Sequence, residues 1–372
     1  DFKPVLNNII DEKYFMYMSF PEDKNTYIGF EVAVIISNHN QIQQFKIKTN
    51  EKIKKINVFG GMAFDIKNKS FFPWEKIPKS FFYIPKILFK NNTIIYSKLI
   101  EGEFSCKEIL EDIKRCLSKI EGDSNYKKHK TKIIRKEIIP TREKYLKNIE
   151  TAKTQINDNL IKKVVISRIE KQTYSECPDI PETIEKINKE YPDCFNFIMR
   201  FHKKCYFIGS TPEKIIEKCD NIISTDALAG TAEKFNNLNN DKDKNEHNYV
   251  IEHLIEKLRD ISERLEKSEI KTLKLNYAHH LLTQINGTSK HHIVDILHRI
   301  FPTPALCGTP TEKAMDIINS IESFDRGWYG GVMGNYDQHG NGSFYVPIRS
   351  ALVNKNEIFL YSGSGIVKES ES

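Results

Sequence analysis

Apolar residues enter this chain in two rhythms. Short β-branched or aromatic runs bounded by polar turn residues read as strands, as in Thr26 to Ile35 (TYIGFEVAVI) and Lys54 to Asp65 (KKINVFGGMAFD). Other segments repeat their apolar positions at helical spacing, as in Cys106 to Glu121 (CKEILEDIKRCLSKIE) and Glu143 to Asp158 (EKYLKNIETAKTQIND). Leu160 to Lys171 (LIKKVVISRIEK) is a compact run that predicts a central strand, followed by a helix at Pro181 to Tyr191 (PETIEKINKEY). Two strands and a turn are then expected across Cys194 to Lys218. The polar stretch Lys234 to Lys244 (KFNNLNNDKDK) predicts a loop before a long amphipathic helix with Val250, Leu254, Leu258, Ile261 and Leu265 on one face. From Gly327 to Val367 the pattern is that of a meander, its turns marked by Asp337–Gly342 and Asn354–Glu357. Helices interspersed with antiparallel hairpins predict an α+β fold rather than a doubly wound sheet.

Composition narrows the function classes. A chain of 372 residues that is 39% hydrophobic can bury a large core. The net charge of +6 arises from 56 basic against 50 acidic residues, interspersed almost everywhere, which argues against a dedicated polyanion binder. The densest basic run, Lys127 to Lys136, lacks interleaved aromatics and reads as a solvated face. No nucleic-acid partner is expected. Seven cysteines form an odd set with no C-x-x-C pair and no zinc spacing, so reduced thiols and a cytoplasmic location are expected. No run is long enough to predict a membrane span.

Several polar residues sit awkwardly in this pattern. Lys163 stands at a β-branched run, where an inward ammonium would lose solvation and tend toward a neutral amine usable as a general base. On pattern alone the simpler reading starts the strand one residue later and leaves Lys162 and Lys163 both in solvent. Glu213 follows Thr211 and Pro212, which reads as a helix start with a dipole-stabilised carboxylate. Glu246 opens the long helix four residues before Val250, at the edge of its apolar stripe, where a carboxylate favours a cation. Alternation puts Arg349 on one face with Tyr345, Pro347, Ala351 and Val353, so its guanidinium needs an anion from the protein or from a substrate. The Gly-rich stretches at Leu228–Thr231 and Ser362–Val367 bring backbone N–H groups within reach of a carboxylate.

The order and wording of these segments resemble the chorismate-utilising enzymes, and among them the isochorismate-forming branch. The resemblance rests on KVVISR (Lys163 to Arg168), GSTPE (Gly209 to Glu213), ALAGT (Ala227 to Thr231), Glu246–His247 and HLLTQINGT (His280 to Thr288). It continues through PTPALCGTP (Pro302 to Pro310), IESFDRGWYGGVMG (Ile321 to Gly334), VPIRSALV (Val346 to Val353) and YSGSGIV (Tyr361 to Val367). Residues 141–372 match closely and 1–140 more loosely, through FGGMAFD (Phe59 to Asp65) and the spaced Trp74, Phe81 and Pro85. The resemblance implies a single chorismate-binding domain over 1–372, with two large antiparallel sheets packed face to face and helices outside.

It also implies roles. Isochorismate and salicylate synthases carry Lys at the start of the KVV strand, where anthranilate-forming members have Gln and use ammonia. Lys163 therefore implies water as nucleophile, attacking C2 of the ring, with Glu213 protonating the departing C4 hydroxyl. The aminodeoxychorismate branch places a nucleophilic Lys where this chain has Ala229, so covalent capture there is excluded and no glutaminase subunit is expected. Mg²⁺ is the implied cofactor, with Glu246 as a ligand. Gly230 and Thr231 would meet the ring carboxylate, Arg349 and Gly365 the enolpyruvyl carboxylate, and His280 would line the pocket. Cys307 reads as packing. The family pattern continues past the Gly-Ile-Val step into a helix with further glutamates, one of which completes the magnesium site. The sequence reaches Ser372 before that helix, and Glu369 and Glu371 fall too early to replace it. Salicylate synthase and a catalytically silent chorismate binder are the alternatives. A monomer or weak homodimer is expected, and whether the product feeds menaquinone or a siderophore is not written in the residues.

Overall fold

The computed structural model describes residues 3–22, 24–38, 40–41, 55–120, 131–232, 241–274 and 279–370. Its helices are α1 (Lys3–Ile9), α2 (Cys106–Ser118), α3 (Arg142–Asn157), α4 (Ile180–Glu190), α5 (Asp241–Arg259), α6 (Ile293–Ile300) and α7 (Thr311–Ile321). The N-terminal strands are β1 (Met16–Ser19), β2 (Thr26–Ile36), β3 (Asn57–Met62), β4 (Ser80–Lys90), β5 (Thr93–Tyr96) and β6 (Ile133–Ile139). The middle of the chain supplies β7 (Lys163–Tyr174), β8 (Phe195–His202), β9 (Cys205–Thr211), β10 (Lys214–Cys219), β11 (Ile222–Ala232), β12 (Leu265–Lys267), β13 (Lys271–Lys274) and β14 (His279–Thr288). The last are β15 (Gly308–Thr309), β16 (Val332–Asp337), β17 (Gly342–Tyr345), β18 (Ser350–Asn354) and β19 (Glu357–Ile366).

The strands pair antiparallel in one continuous network. One stretch runs β6-β7-β19-β18-β9-β8-β1-β2. It passes from β2 to β4 and continues β3-β16-β17-β10-β11-β14. The two stretches then face each other across an aromatic core. Phe195 of β8 stacks on Tyr345 of β17 with ring centroids 4.5 Å apart, although six pairings separate those strands along the network. Trp74 donates its indole N–H to the Tyr361 hydroxyl at 2.6 Å and meets Phe207 edge-on. The two facing sheets expected from the sequence are thus the halves of a network folded over itself. Helices α3, α5, α6 and α7 cover one outer face through an aliphatic core, and α1 and α4 cover another.

Most elements fall where periodicity places them, with four departures. The residues of GSTPEK start no helix: Thr211 ends β9 and Lys214 begins β10, which is committed to β11 and β17. Helix α5 begins at Asp241, so Glu246 lies in its second turn, and the C-terminal end of the predicted polar loop is helical, 234–240 lying outside the described residues. Val250, Leu254 and Leu258 form the buried stripe of α5, but Ile261 and Leu265 come after the helix ends, Leu265 on β12. The alternation assumed through Arg349 breaks, because the chain leaves β17 at Tyr345 and resumes pairing only at Ser350. The basic run Lys127–Lys136 is described only from residue 131, with Ile133–Lys136 on β6. Among the described residues no helix is long and apolar enough to cross a membrane, and all seven cysteines are free.

Candidate active site

Lys163 is the first residue of β7, and its position is settled from three sides. Its backbone pairs with Thr309 of β15, β19 runs along its other edge, and only 2% of the residue is exposed. The outcome reverses the simpler pattern reading: the strand starts at Lys163, and that lysine is buried. Its ammonium reaches Glu246 Oε2 at 3.5 Å. Gly365 of β19 makes room for the pair. A Cβ there would stand 3.2 Å from Lys163 Cε, tight enough to press on the lysine, and in ordinary contact with Glu246 Oε2 at 3.6 Å.

Glu213 sits between β9 and β10, anchored by its carbonyl, which accepts from Val346 N–H at 2.8 Å. It is 9% exposed, and burial pushes its carboxyl up to about 8 despite the opposing charge of Lys163, with Asp226 adding to the rise. A group in that range is mostly protonated at neutral pH. Gly230 forms a bulge in β11 at φ +75°, where the register to β14 shifts between Ala229 and Thr231. That bend brings Gly230 against Asp243 of α5 and sets Thr231 opposite His280. Thr231 is placed by its backbone alone. His280 is half-buried, and its ring is held below the usual imidazole value by burial and then by the charge of Arg349, with a Gly230 backbone hydrogen bond acting the other way.

One cavity of about 570 Å³ gathers Lys163, Glu213, Gly230, Glu246, His280 and Gly365. These come from β7, β11, β14, β19, α5 and the β9–β10 connection, distant in sequence and joined only by the fold. Arg349 does not line this cavity; it lines an adjacent one, with Ile348 and Tyr361 common to both.

The cavity also holds residues to which the sequence reading gave no role. Arg326 is 4% exposed and grips Glu322 with two nitrogens, at 2.6 and 2.8 Å. It also donates to the carbonyls of Val165 and Leu306, while Glu322 accepts from Ser167 N–H, so the pair braces β7 beside Lys163. Tyr329 stacks on Tyr361 at 4.9 Å, its phenol pushed up to about 12 by burial. Asp243 adds a third carboxylate one turn before Glu246. The sequence signals were present in the DRGWYGG and YSGSG segments, but nothing local says which side chains there turn inward. Cys307 is fully buried and its thiol pushed up to about 12 by that burial, in keeping with packing.

Comparison with known proteins follows the geometry. A family model described as chorismate binding enzyme matches residues 12–372. The isochorismate synthase MenF of Bacillus subtilis is 26% identical over 393 residues, covering 95% of this chain and 83% of the relative. The MenF of Haemophilus influenzae is 30% identical over 236 residues, covering 60% of this chain and 55% of the relative. Among solved structures, the menaquinone-specific isochorismate synthase MenF from Escherichia coli superposes with a TM-score of 0.85 at 21% identity, covering 100% of this chain and 87% of that one. Anthranilate synthase component I from Streptococcus pneumoniae superposes with a TM-score of 0.74 at 16% identity, covering 96% and 86%.

Proposed function

The chain belongs to the chorismate binding enzyme family, and from that premise we propose that it converts chorismate to isochorismate. The observation that carries this reading is the pairing, in one cavity, of a buried amine with a buried carboxyl that stays protonated at neutral pH. Lys163 removes a proton from water as its oxygen bonds to C2 of the ring. The ring double bonds shift, and the C4 hydroxyl leaves as water with the proton of Glu213. One water enters and one departs, so the net change is an isomerisation. The raised titration of Glu213 is what keeps a proton available on it at neutral pH. A lysine at the position where ammonia-using relatives carry glutamine supports water as the nucleophile, and Ala229 supports the absence of a covalent lysine adduct.

Arg349, beside the cavity, is the proposed grip on the enolpyruvyl carboxylate, and the backbone at Gly230, Thr231 and Gly365 the proposed contacts to the substrate carboxylates. His280, held toward its neutral form, is a hydrogen-bonding wall rather than a cation. Mg²⁺ is the proposed cofactor. Glu246 would hold it, with Asp243 the nearest second carboxylate on the same helix. Among the described residues no three His, Cys, Asp or Glu gather closely enough to enclose a metal. That set fits an ion that keeps several waters and takes substrate oxygens, as Mg²⁺ does. When bound, it would supply positive charge against the ring carboxylate.

Incubation with chorismate, with and without Mg²⁺, followed by chromatographic separation, tests the reading. Isochorismate is the expected product. Pyruvate with fluorescent salicylate would assign the chain to salicylate synthase instead, and tight chorismate binding without turnover would make it a silent binder. Glu246→Gln is expected to raise the Mg²⁺ concentration needed for half-maximal rate, and an unchanged Mg²⁺ titration would remove Glu246 from the metal shell.

A further inference from the structure

Strand β6 is an edge: among the described residues it pairs with β7 alone. Three isoleucines on this short strand are exposed, Ile134 to 68%, Ile133 to 45% and Ile138 to 43%. The direction of its free backbone groups follows from β7. Tyr174 N–H donates to Asn356, which precedes β19, and Ser175 N–H donates to Lys132, which precedes β6. Alternation along β7 then turns Thr173, Lys171 and Ile169 toward β6, opposite Arg135, Glu137 and Ile139. The N–H and C=O groups of Lys136 and Ile138 therefore point away from β7, a template for another strand.

We infer that β6 pairs antiparallel with β6 of a second copy of this chain, about a two-fold axis at Lys136. The strand reads IIRKEII, and that order selects both the partner and the register. With the axis at Lys136, Arg135 lies opposite Glu137 of the second copy and Glu137 opposite its Arg135, while Ile134 meets Ile138 and Ile133 meets Ile139. The two Lys136 residues exchange the backbone bonds that β7 leaves free. Each Lys136 ammonium lies 3.4 Å from Glu170 of its own chain, which offsets the like charge across the axis. Moving the axis to Arg135 or to Glu137 would oppose two guanidiniums or two carboxylates. Charges on an edge strand normally keep other strands away. These do so in the neighbouring registers and attract in this one. Arg135 and Glu137 already form an ion pair within one chain, so the pairing closes a ring of four alternating charges flanked by isoleucines that leave water. Strand β6 lies along the C-terminal half of β7, away from Lys163 at its start, so the pairing does not depend on the proposed activity.

Sedimentation velocity of the intact chain over about a hundredfold range of concentration tests the pairing. A reversible dimer is expected for the wild type. Arg135→Glu and Glu137→Arg each set like charges against each other across the axis, and each is expected to weaken association about tenfold or more. An equimolar mixture of these two variants is expected to restore the dimer, since each then meets the opposite sign. The chain carrying both changes is expected to dimerise with itself and not with the wild type, which tests the same register without altering net charge. A wild type that stays monomeric, or single variants that associate undiminished, would overturn the pairing. So would a mixture that stays monomeric although both variants keep the wild-type circular dichroism spectrum, or a doubly changed chain that pairs with the wild type as well as with itself.

Discussion

At the scale of single residues, Glu213 carries two consequences of opposite sign. Its carboxyl titrates near 8 in the folded protein, well above the 4.5 of an ordinary glutamate, because burial penalises the anion. As pH rises through 4.5 the unfolded chain gains the anion while the folded chain does not, so stability falls until the folded group ionises near 8. At neutral pH this amounts to about 3 kcal/mol against folding. Glu213→Gln is therefore expected to raise the melting temperature, more at pH 8 than at pH 5, while lowering turnover by about 10²–10⁴-fold. Thermal melts at the two pH values check the first part. The wild-type rate is expected to fall as pH passes 8 and the acid is lost; a rate that stays level to pH 9.5 would remove Glu213 as the proton donor. Lys163→Ala is expected to cost a similar factor with an unchanged circular dichroism spectrum. Wild-type turnover in that variant would dispose of the base.

The two residues also mark where local reading ends. Lys163 was ambiguous because a strand apolar on both faces does not say on which side its first residue falls. The answer comes from β15 and from the gap at Gly365, 145 and about 200 positions along the chain. Glu213 follows a Thr-Pro pair that starts helices well, but the residues after it are claimed by pairing to β11 and β17, and tertiary pairing outweighs a capping preference of about 1 kcal/mol.

Among the elements, α2 shows how a helix outside the site is tied down. Asp112 accepts from Lys86 of β4 at 2.9 Å and from the Tyr96 hydroxyl of β5 at 2.6 Å, and it also pairs with Arg115 on its own helix. Lys119, just past the helix, reaches Glu12 at 2.7 Å and Glu31 at 2.6 Å. The carboxyls of Asp112 and Glu31 are both held below their ordinary values by these partners, against the opposing effect of burial. A depressed carboxyl stabilises the fold above its unfolded pKa, and that contribution fades as pH falls from there through the folded value. Asp112→Asn is expected to lower the melting temperature at pH 7 and to shrink the difference between variant and wild type as pH drops from 5 to 3. A constant difference across that range would mean that shape, not charge, holds α2. Helix α2 itself was legible from its periodicity. Its partners were not, because Glu31, Lys86 and Tyr96 sit on three strands whose adjacency no local pattern encodes.

The whole molecule binds its halves so that no cut along the sequence separates them. Strands β1 and β2, near the N-terminus, pair with β8 and β4, while β3 pairs with β16. The expectation of facing sheets came from family resemblance; periodicity yielded strands but not the order in which they join, since each of these pairings spans a long stretch of chain. The fold-over is fixed by its aromatic core, and Gly327 is its tightest point. At φ +53° it faces the Trp74 ring so closely that a Cβ would lie 2.0 Å from the indole. Gly327→Ala must therefore displace Trp74, whose ring packs on Phe207 and whose N–H is bonded to Tyr361, a residue lining the cavity that holds Lys163 and Glu213. A loss of about 3 kcal/mol or more is expected, the range of a severe core disruption. Because one core joins both halves, that loss should lower a single transition instead of releasing one half first. Far-ultraviolet circular dichroism and tryptophan fluorescence, followed in urea, are expected to give the same midpoint in wild type and variant alike. Midpoints that separate in the variant would mean that the halves fold as independent units and that the aromatic interface merely docks them.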